Sequence, residues 1–221
     1  MELCLVVTGH YGSGKTTVSL NIAFEAARSG KSVTLVDLDV VNPYFRSGDS
    51  AKELEQLGVR VIAPKMLGTT SDAPAIRAEV MAAFDSPSDL TVIDAGGDDV
   101  GATALGRFRD KLEQTGYEML FVINAFRPMT STPEKCAEIL REVEAASRLK
   151  ASGIISNSNL GAETSAEDVL NSIAFAQKVS SLTGLPIAAV NAAESIAPEL
   201  TGKIENLQTI KRLVCAPWEL V

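Results

Sequence analysis

The sequence predicts a doubly wound, mainly parallel α/β sheet with helices on both faces. Short β-rich apolar runs alternate with longer helical patterns along the 221 residues, which implies parallel strands joined by right-handed crossovers. The runs are apolar nearly throughout instead of at every second position, as in strands covered on both faces. Hydrophobic residues make up 46% of the chain, enough for one well-buried core, so residues 1–221 are read as a single domain.

The elements follow in order. Residues 3–8 read as a strand and 15–29 as a helix closed by Gly30; 33–37 is the second strand. A helix over 51–57 leads through Gly58 to a strand at 59–63. Residues 74–84 form a helix with Pro74 in its first turn, 90–94 a strand and 102–115 a helix. Another strand covers 119–124. The segment Ser131-Thr132-Pro133-Glu134 has capping-box spacing and opens a helix to about Leu149. Residues 153–157 are a strand. The same capping signature at Thr164–Glu167 opens a helix that ends near Gly184. A strand at 187–190 follows. Residues 204–214 read as a closing helix, with Ile204, Leu207, Ile210 and Val214 on one face.

Bulk properties narrow the function. The net charge of −8 argues against tight non-specific binding to DNA. No apolar stretch approaches a membrane span, and MELCLVVTG looks like a first strand, not a signal peptide, so a cytoplasmic protein is expected. The three cysteines, Cys4, Cys136 and Cys215, form no paired motif and read as reduced thiols. The single histidine, His10, excludes a His-built zinc site in one chain.

The chemistry gathers at the carboxyl ends of the strands, where ligands bind in such sheets. GHYGSGKTT, Gly9 to Thr17, fits GxxxxGK[ST] between a strand and a helix. Gly9, Gly12, Ser13 and Gly14 form a loop whose backbone N–H groups point at one anion, helped by the helix dipole. Lys15 reaches the β- and γ-phosphates, Thr16 offers a hydroxyl to Mg²⁺, and Thr17 reaches the α-phosphate. DLDVVNP places Asp37 and Asp39 at the exit of the second strand, one to orient water and the other to hold the metal shell. Asp94, at the tip of LTVID, is the further metal carboxylate, acting through a metal-bound water. Gly96 and Gly97 free the backbone beyond it, so that an N–H approaches the γ-phosphate and moves when that group leaves. Asp98 and Asp99 read as partner-facing or solvated. GIISN ends at Asn157, which either pairs with adenine or caps a turn; no NKxD guanine motif occurs.

At GHYGSGKTT, DLDVVNP, DAGGD and GIISN the chain resembles the MinD/ParA-like branch of P-loop ATPases, which includes the nitrogenase iron protein and metal-insertion ATPases. The resemblance implies a water-orienting role for Asp39 in the Asp37, Asp39, Pro43 motif, a switch at Asp94, Gly97 and Asp98, and adenine contact by Asn157. It implies ATP or ADP with Mg²⁺ as cofactors. Many members carry a second lysine where this chain has His10, and a glycine where it has Tyr11. The loop is therefore expected to bind ATP without forming the usual lysine-linked dimer. Hydrolysis alone should be slow, with the missing charge coming from a partner or from protonated His10. No counterpart of the iron–sulfur cysteines is present, since Val100-Gly101-Ala102 follows the switch.

The expectation is a Mg²⁺-dependent ATPase acting as a switch or maturation factor for a protein partner, as a monomer or a weak nucleotide-dependent homodimer. An ATP-dependent ligase or kinase of the dethiobiotin synthetase or cobyrinate amidation type is the alternative, with residues 64–77 lining an acceptor site. Membrane anchoring through the tail, with Lys211, Arg212 and Trp218, and binding to nucleic acid are not expected.

Overall fold

The computed structural model describes residues 3–39, 49–63, 73–85, 88–211 and 213, the side chains of 49–52 and 73–77 excepted. Val40–Pro43 of the second motif, most of 64–77, and Arg212, Val214, Cys215 and Trp218 therefore lie outside the described residues or side chains.

Eight parallel strands form one sheet: β1 (Leu3–Thr8), β2 (Val33–Asp37), β3 (Arg60–Ile62), β4 (Leu90–Asp94), β5 (Glu118–Ile123), β6 (Gly153–Ser156), β7 (Ile187–Ala193) and β8 (Leu207–Ile210). Their order is β3-β2-β4-β1-β5-β6-β7-β8. The helices are α1 (Lys15–Arg28), α2 (Asp49–Gln56), α3 (Ala73–Asp85), α4 (Asp99–Gly106), α5 (Arg109–Thr115), α6 (Pro133–Ser147), α7 (Ala166–Thr183) and α8 (Ala197–Leu200). Successive side chains of a strand point to opposite faces. In β1, Cys4 and Val6 join one core with Leu105, Leu112, Cys136 and Leu140, while Leu5 and Val7 join the other with Val18, Leu20 and Phe24 of α1. Both faces are covered, and the expected doubly wound sheet is what forms. Burial pushes the thiols of Cys4 and Cys136 up to about 12, which keeps them protonated and unreactive.

Four local expectations are corrected. Residues 204–211 and 213, the described part of the expected closing helix, do not form one. Gly202 and Asn206 take positive φ, and Leu207–Ile210 pairs with Val190–Ala193. A helix would leave the edge of β7 unpaired, and the strand satisfies those backbone groups. The end of β8 is then clasped by Asn21 of α1: its Nδ2 donates to the carbonyls of Thr17 and Lys211, both at 2.8 Å, and its Oδ1 accepts from the Lys211 N–H at 2.7 Å. The expected helix over 102–115 is two helices. Gly106 lies against the backbone of Ser147, and its carbonyl is taken by Arg148 Nη2 at 3.0 Å, so the helical ladder is interrupted there.

Both capping signatures sit one residue later than expected. Thr132 caps α6 by accepting from the Lys135 N–H, while Ser131 Oγ donates to the Pro128 carbonyl. Ser165 and Asp168 form the capping box of α7. Replacing Thr132 by Ala should cost about 1 kcal/mol in urea unfolding, against a few tenths for Ser131→Ala; equal losses would contradict this assignment of the cap.

Candidate functional site

The sheet order places β1 between β4 and β5, at the point where the connections turn from one half of the sheet to the other. The loops after β1, β2, β4, β5 and β6 meet there. Gly14, in the left-handed conformation (φ 88°), ends the first loop as the N-cap of α1, and no side chain caps that helix. The first N–H groups of α1 are thus left for an anion. The Ser13 N–H donates to the His10 carbonyl at 3.0 Å and closes the turn. Lys15 and Ser13 are buried, Thr16 and Thr17 half-buried. His10 Nδ1 lies 3.1 Å from the Tyr11 carbonyl, and the Tyr11 side chain is exposed.

Lys15 Nζ is paired with Asp39 Oδ2 at 2.7 Å, both side chains about nine-tenths buried or more. The Asp39 N–H donates to Asp37 Oδ1 at 2.9 Å, which fixes the turn after β2. Asp37 faces Asp94 in strand register, because β2 and β4 are neighbours and end on one line. Thr16, Ser19, Leu20, Leu35, Asp37 and Asp94 line a narrow crevice under the loop. Asp94 is fully enclosed, and burial raises its pKa to about 6 against the opposing pull of Lys15 and a hydrogen bond from Thr16. Its Oδ1 has no hydrogen-bond partner among the described residues.

These groups fit Mg²⁺. Thr16, Asp37 and Asp94 offer hard oxygen donors, and the partnerless Asp94 oxygen suits a cation or a water bound to one. Among the described residues no group of three or more His, Cys, Asp or Glu forms a complete metal cage.

The segment after β4 touches the phosphate loop directly. A Cβ on Gly97 would overlap the Gly9 carbonyl and approach the His10 nitrogen. Gly96 likewise abuts Gly101 at the start of α4. Asp98, read as partner-facing or solvated, is exposed and also caps α4, accepting from the Gly101 N–H at 2.7 Å. Its helix-capping role follows from an Asp placed just before the first helical residue. Asp99 is exposed in the first turn.

Asn157 is buried against the loop. Its Nδ2 donates to the Ser13 carbonyl at 2.8 Å and abuts Gly14, while its Oδ1 accepts from Asn191 Nδ2 at 3.3 Å. In this arrangement its amide braces the phosphate loop.

Sequence reasoning passed over three residues of this edge. Asn191 of β7 supports Asn157. Asn124, fully buried, ties the loops after β5 and β6: its Oδ1 accepts from the N–H groups of Phe126 and Asn159, and its Nδ2 donates to the Asn159 carbonyl. Arg127 Nε donates to the Gly12 carbonyl at 2.9 Å. Asn124 carries a readable signal, a polar amide just past an apolar strand, and Asn191 another, a polar amide within the apolar run of β7. Arg127 carries none, since only the pairing of β1 with β5 brings it to the loop.

Two outcomes test this geometry. Gly97→Ala should lower nucleotide affinity by at least about tenfold in calorimetry, because the new methyl displaces Gly9. The Asp94 carboxyl, with its folded-state pKa raised to about 6, holds a proton that the unfolded chain releases. Stability contributed this way is full below the ordinary carboxylate range and is lost as pH rises to about 6. Asp94→Asn should therefore raise stability at pH 7.5, by up to the order of 3 kcal/mol, and the gain should vanish near pH 4.

Comparison with known proteins bears on the fold and the family. A curated relative, the signal recognition particle 54 kDa protein of Methanopyrus kandleri, is 28% identical over 123 residues, covering 55% of this chain and 26% of its own. Among solved structures, FtsY from Mycoplasma mycoides is similar with TM-score 0.58 and 19% identity, over 86% of this chain and 61% of that one. The signal recognition particle 54 kDa protein from Aeropyrum pernix, solved in complex with GDP, gives TM-score 0.57 and 19% identity over 86% of this chain and 41% of that one. The chain thus spans about a quarter of its curated relative's length, and at such identities the structures share its fold. The model of the CobQ/CobB/MinD/ParA nucleotide binding domain matches residues 4–182, most of the chain and every loop of the site, and the chain belongs to that family.

Proposed function

We propose that the protein binds ATP with Mg²⁺ and hydrolyses it slowly, as a nucleotide-driven switch or maturation factor for a protein partner. Within its family we read it as a member of the MinD/ParA-like branch, a reading supported by Asp37 and Asp39 after the second strand and by Asp94, Gly97 and Asp98 after the fourth. The observation that carries the reading is the buried Lys15–Asp39 pair at the mouth of the phosphate loop, with Gly97 packed on Gly9. A polyphosphate entering the loop competes with Asp39 for the Lys15 ammonium. Asp39 would then stand beside the terminal phosphate, placed to orient water, while Thr16, Asp37 and Asp94 would hold Mg²⁺, which would neutralise charge on the phosphates. Contact between Gly97 and the loop passes the presence of the terminal phosphate to α4. Tyr11 and Val100, both more than half exposed, flank this edge and offer a partner apolar surface whose setting changes with the nucleotide.

Adenine is preferred on the absence of an NKxD motif. The GDP in the Aeropyrum pernix structure makes guanine nucleotides the necessary control. A ligase or kinase is the second reading, favoured by the presence of CobQ and CobB in the family's description; phosphoryl transfer to an added metabolite, well above basal hydrolysis, would select it.

Calorimetry with ATP, ADP, GTP and GDP, with and without Mg²⁺, tests the proposal. Lys15→Ala should lose about a hundredfold in affinity for whichever nucleotide binds. Asp39→Asn should bind as well as the wild type or better, since the rival for Lys15 is gone, yet hydrolyse about a hundredfold more slowly. Absence of adenine-nucleotide binding at millimolar concentration would overturn the reading.

A further inference from the structure

The phosphate site is short of positive charge. Between Gly9 and Thr17, Lys15 is the one lysine or arginine, and it is committed to Asp39 at 2.7 Å. Asp37 and Asp94 are buried beside that pair. The imidazole of His10 is turned to the Tyr11 carbonyl. Three carboxylates thus meet one ammonium where a polyphosphate would add several negative charges, and Mg²⁺ offsets only two of them.

Arg127 stands at the opposite wall of the loop. Its Nε donates to the Gly12 carbonyl at 2.9 Å, and its stem lies so close to Gly12 that a Cβ there would touch Cδ and Nε at 3.5 Å. No carboxylate pairs with it among the described residues. A guanidinium held by Nε keeps its two terminal nitrogens, and its whole charge, available to an anion.

The turn that carries Arg127 is rigid. The Arg127 N–H donates to the Asn124 carbonyl at 3.3 Å, and its own carbonyl accepts from the Thr130 N–H at 3.0 Å. Thr130 Oγ1 donates to the same Asn124 carbonyl at 2.9 Å, and the Ala125 N–H donates to Ser158 Oγ at 3.0 Å. Pro128 limits the backbone after it. The side chain therefore reaches the loop from a fixed base, and its ordering cost is met before any ligand arrives.

We propose that Arg127 is the second cation of the phosphate site, supplied by the same chain from the turn after β5 to the terminal phosphates of the nucleotide. The inference rests on the nucleotide-binding reading above. It removes the need for His10 or a partner to bring the missing charge. It also makes Arg127 the residue that favours a triphosphate over a diphosphate, because the longer ligand carries the additional charge toward it.

The test is calorimetry on the full chain with Mg²⁺, using ADP and a non-hydrolysable ATP analogue, for wild type, Arg127→Gln and Arg127→Lys. Glutamine keeps a donor for the Gly12 carbonyl without the charge; lysine keeps the charge without the fork. Arg127→Gln should lose about tenfold or more for the triphosphate analogue and no more than about threefold for ADP, and Arg127→Lys should recover most of that loss. If Arg127→Gln binds both ligands as the wild type does, or weakens both equally, the residue only braces Gly12 and the proposal is overturned. A wild type that binds neither nucleotide overturns the functional reading, and this one with it.

Discussion

The site is organised by one buried ion pair, Lys15 with Asp39. Both groups lie in a region of low effective dielectric, where an unpaired charge is costly and a paired one strongly held. The pair joins α1 to the turn after β2, where the Asp39 N–H also donates to Asp37. Burial pushes the Asp94 carboxyl up, and the two members of the pair act on it in opposite senses, Lys15 pulling it down and Asp39 pushing it up. Burying three carboxylates around one ammonium is a poor way to stabilise a fold. It is a good way to prepare a place for a multivalent anion and a cation that arrive together.

The two sides of the loop are built differently. On the side of β5, β6 and β7, amide side chains do the work. Asn191 supports Asn157, Asn157 holds the Ser13 carbonyl, and Asn124 binds the next two loops together. These bonds are neutral, buried and largely satisfied within the protein, which favours one fixed arrangement. On the side of β2 and β4, the contacts are a charge pair and glycine packed on glycine. Contacts of that kind would respond to an incoming anion, since a phosphate would compete for Lys15 and for the space beside Gly97. A fixed wall facing a responsive one suits the nucleotide switch proposed above.

Much of this was legible beforehand where chemistry and local pattern coincide. GHYGSGKTT sits on β1, its loop and α1 as expected, and Asp37 and Asp94 end their strands where the apolar runs stop. The misreadings share a cause. The spacing of Ile204, Leu207 and Ile210 suits a helix, but the free edge of β7 made a strand of Leu207–Ile210. Adjacent Ser and Thr residues each look like a cap, and the choice between Ser131 and Thr132, or Thr164 and Ser165, depends on where the chain enters the helix. Asp98 reads as surplus acid by itself; the fold shows that its carboxylate also accepts from the Gly101 N–H.

By itself the sequence determined the parallel α/β plan, the phosphate loop and the strand-end carboxylates, because these depend on residues within one strand, turn and helix. Only the tertiary structure decided that Asp39 holds Lys15, that Asn157 braces the loop from β6, and that Arg127 rests on Gly12. Those pairings join residues separated by 24, 144 and 115 positions, and they exist because parallel strands end on one line and bring their loops to a common edge. Strand order, which no local pattern encodes, chooses which loops meet.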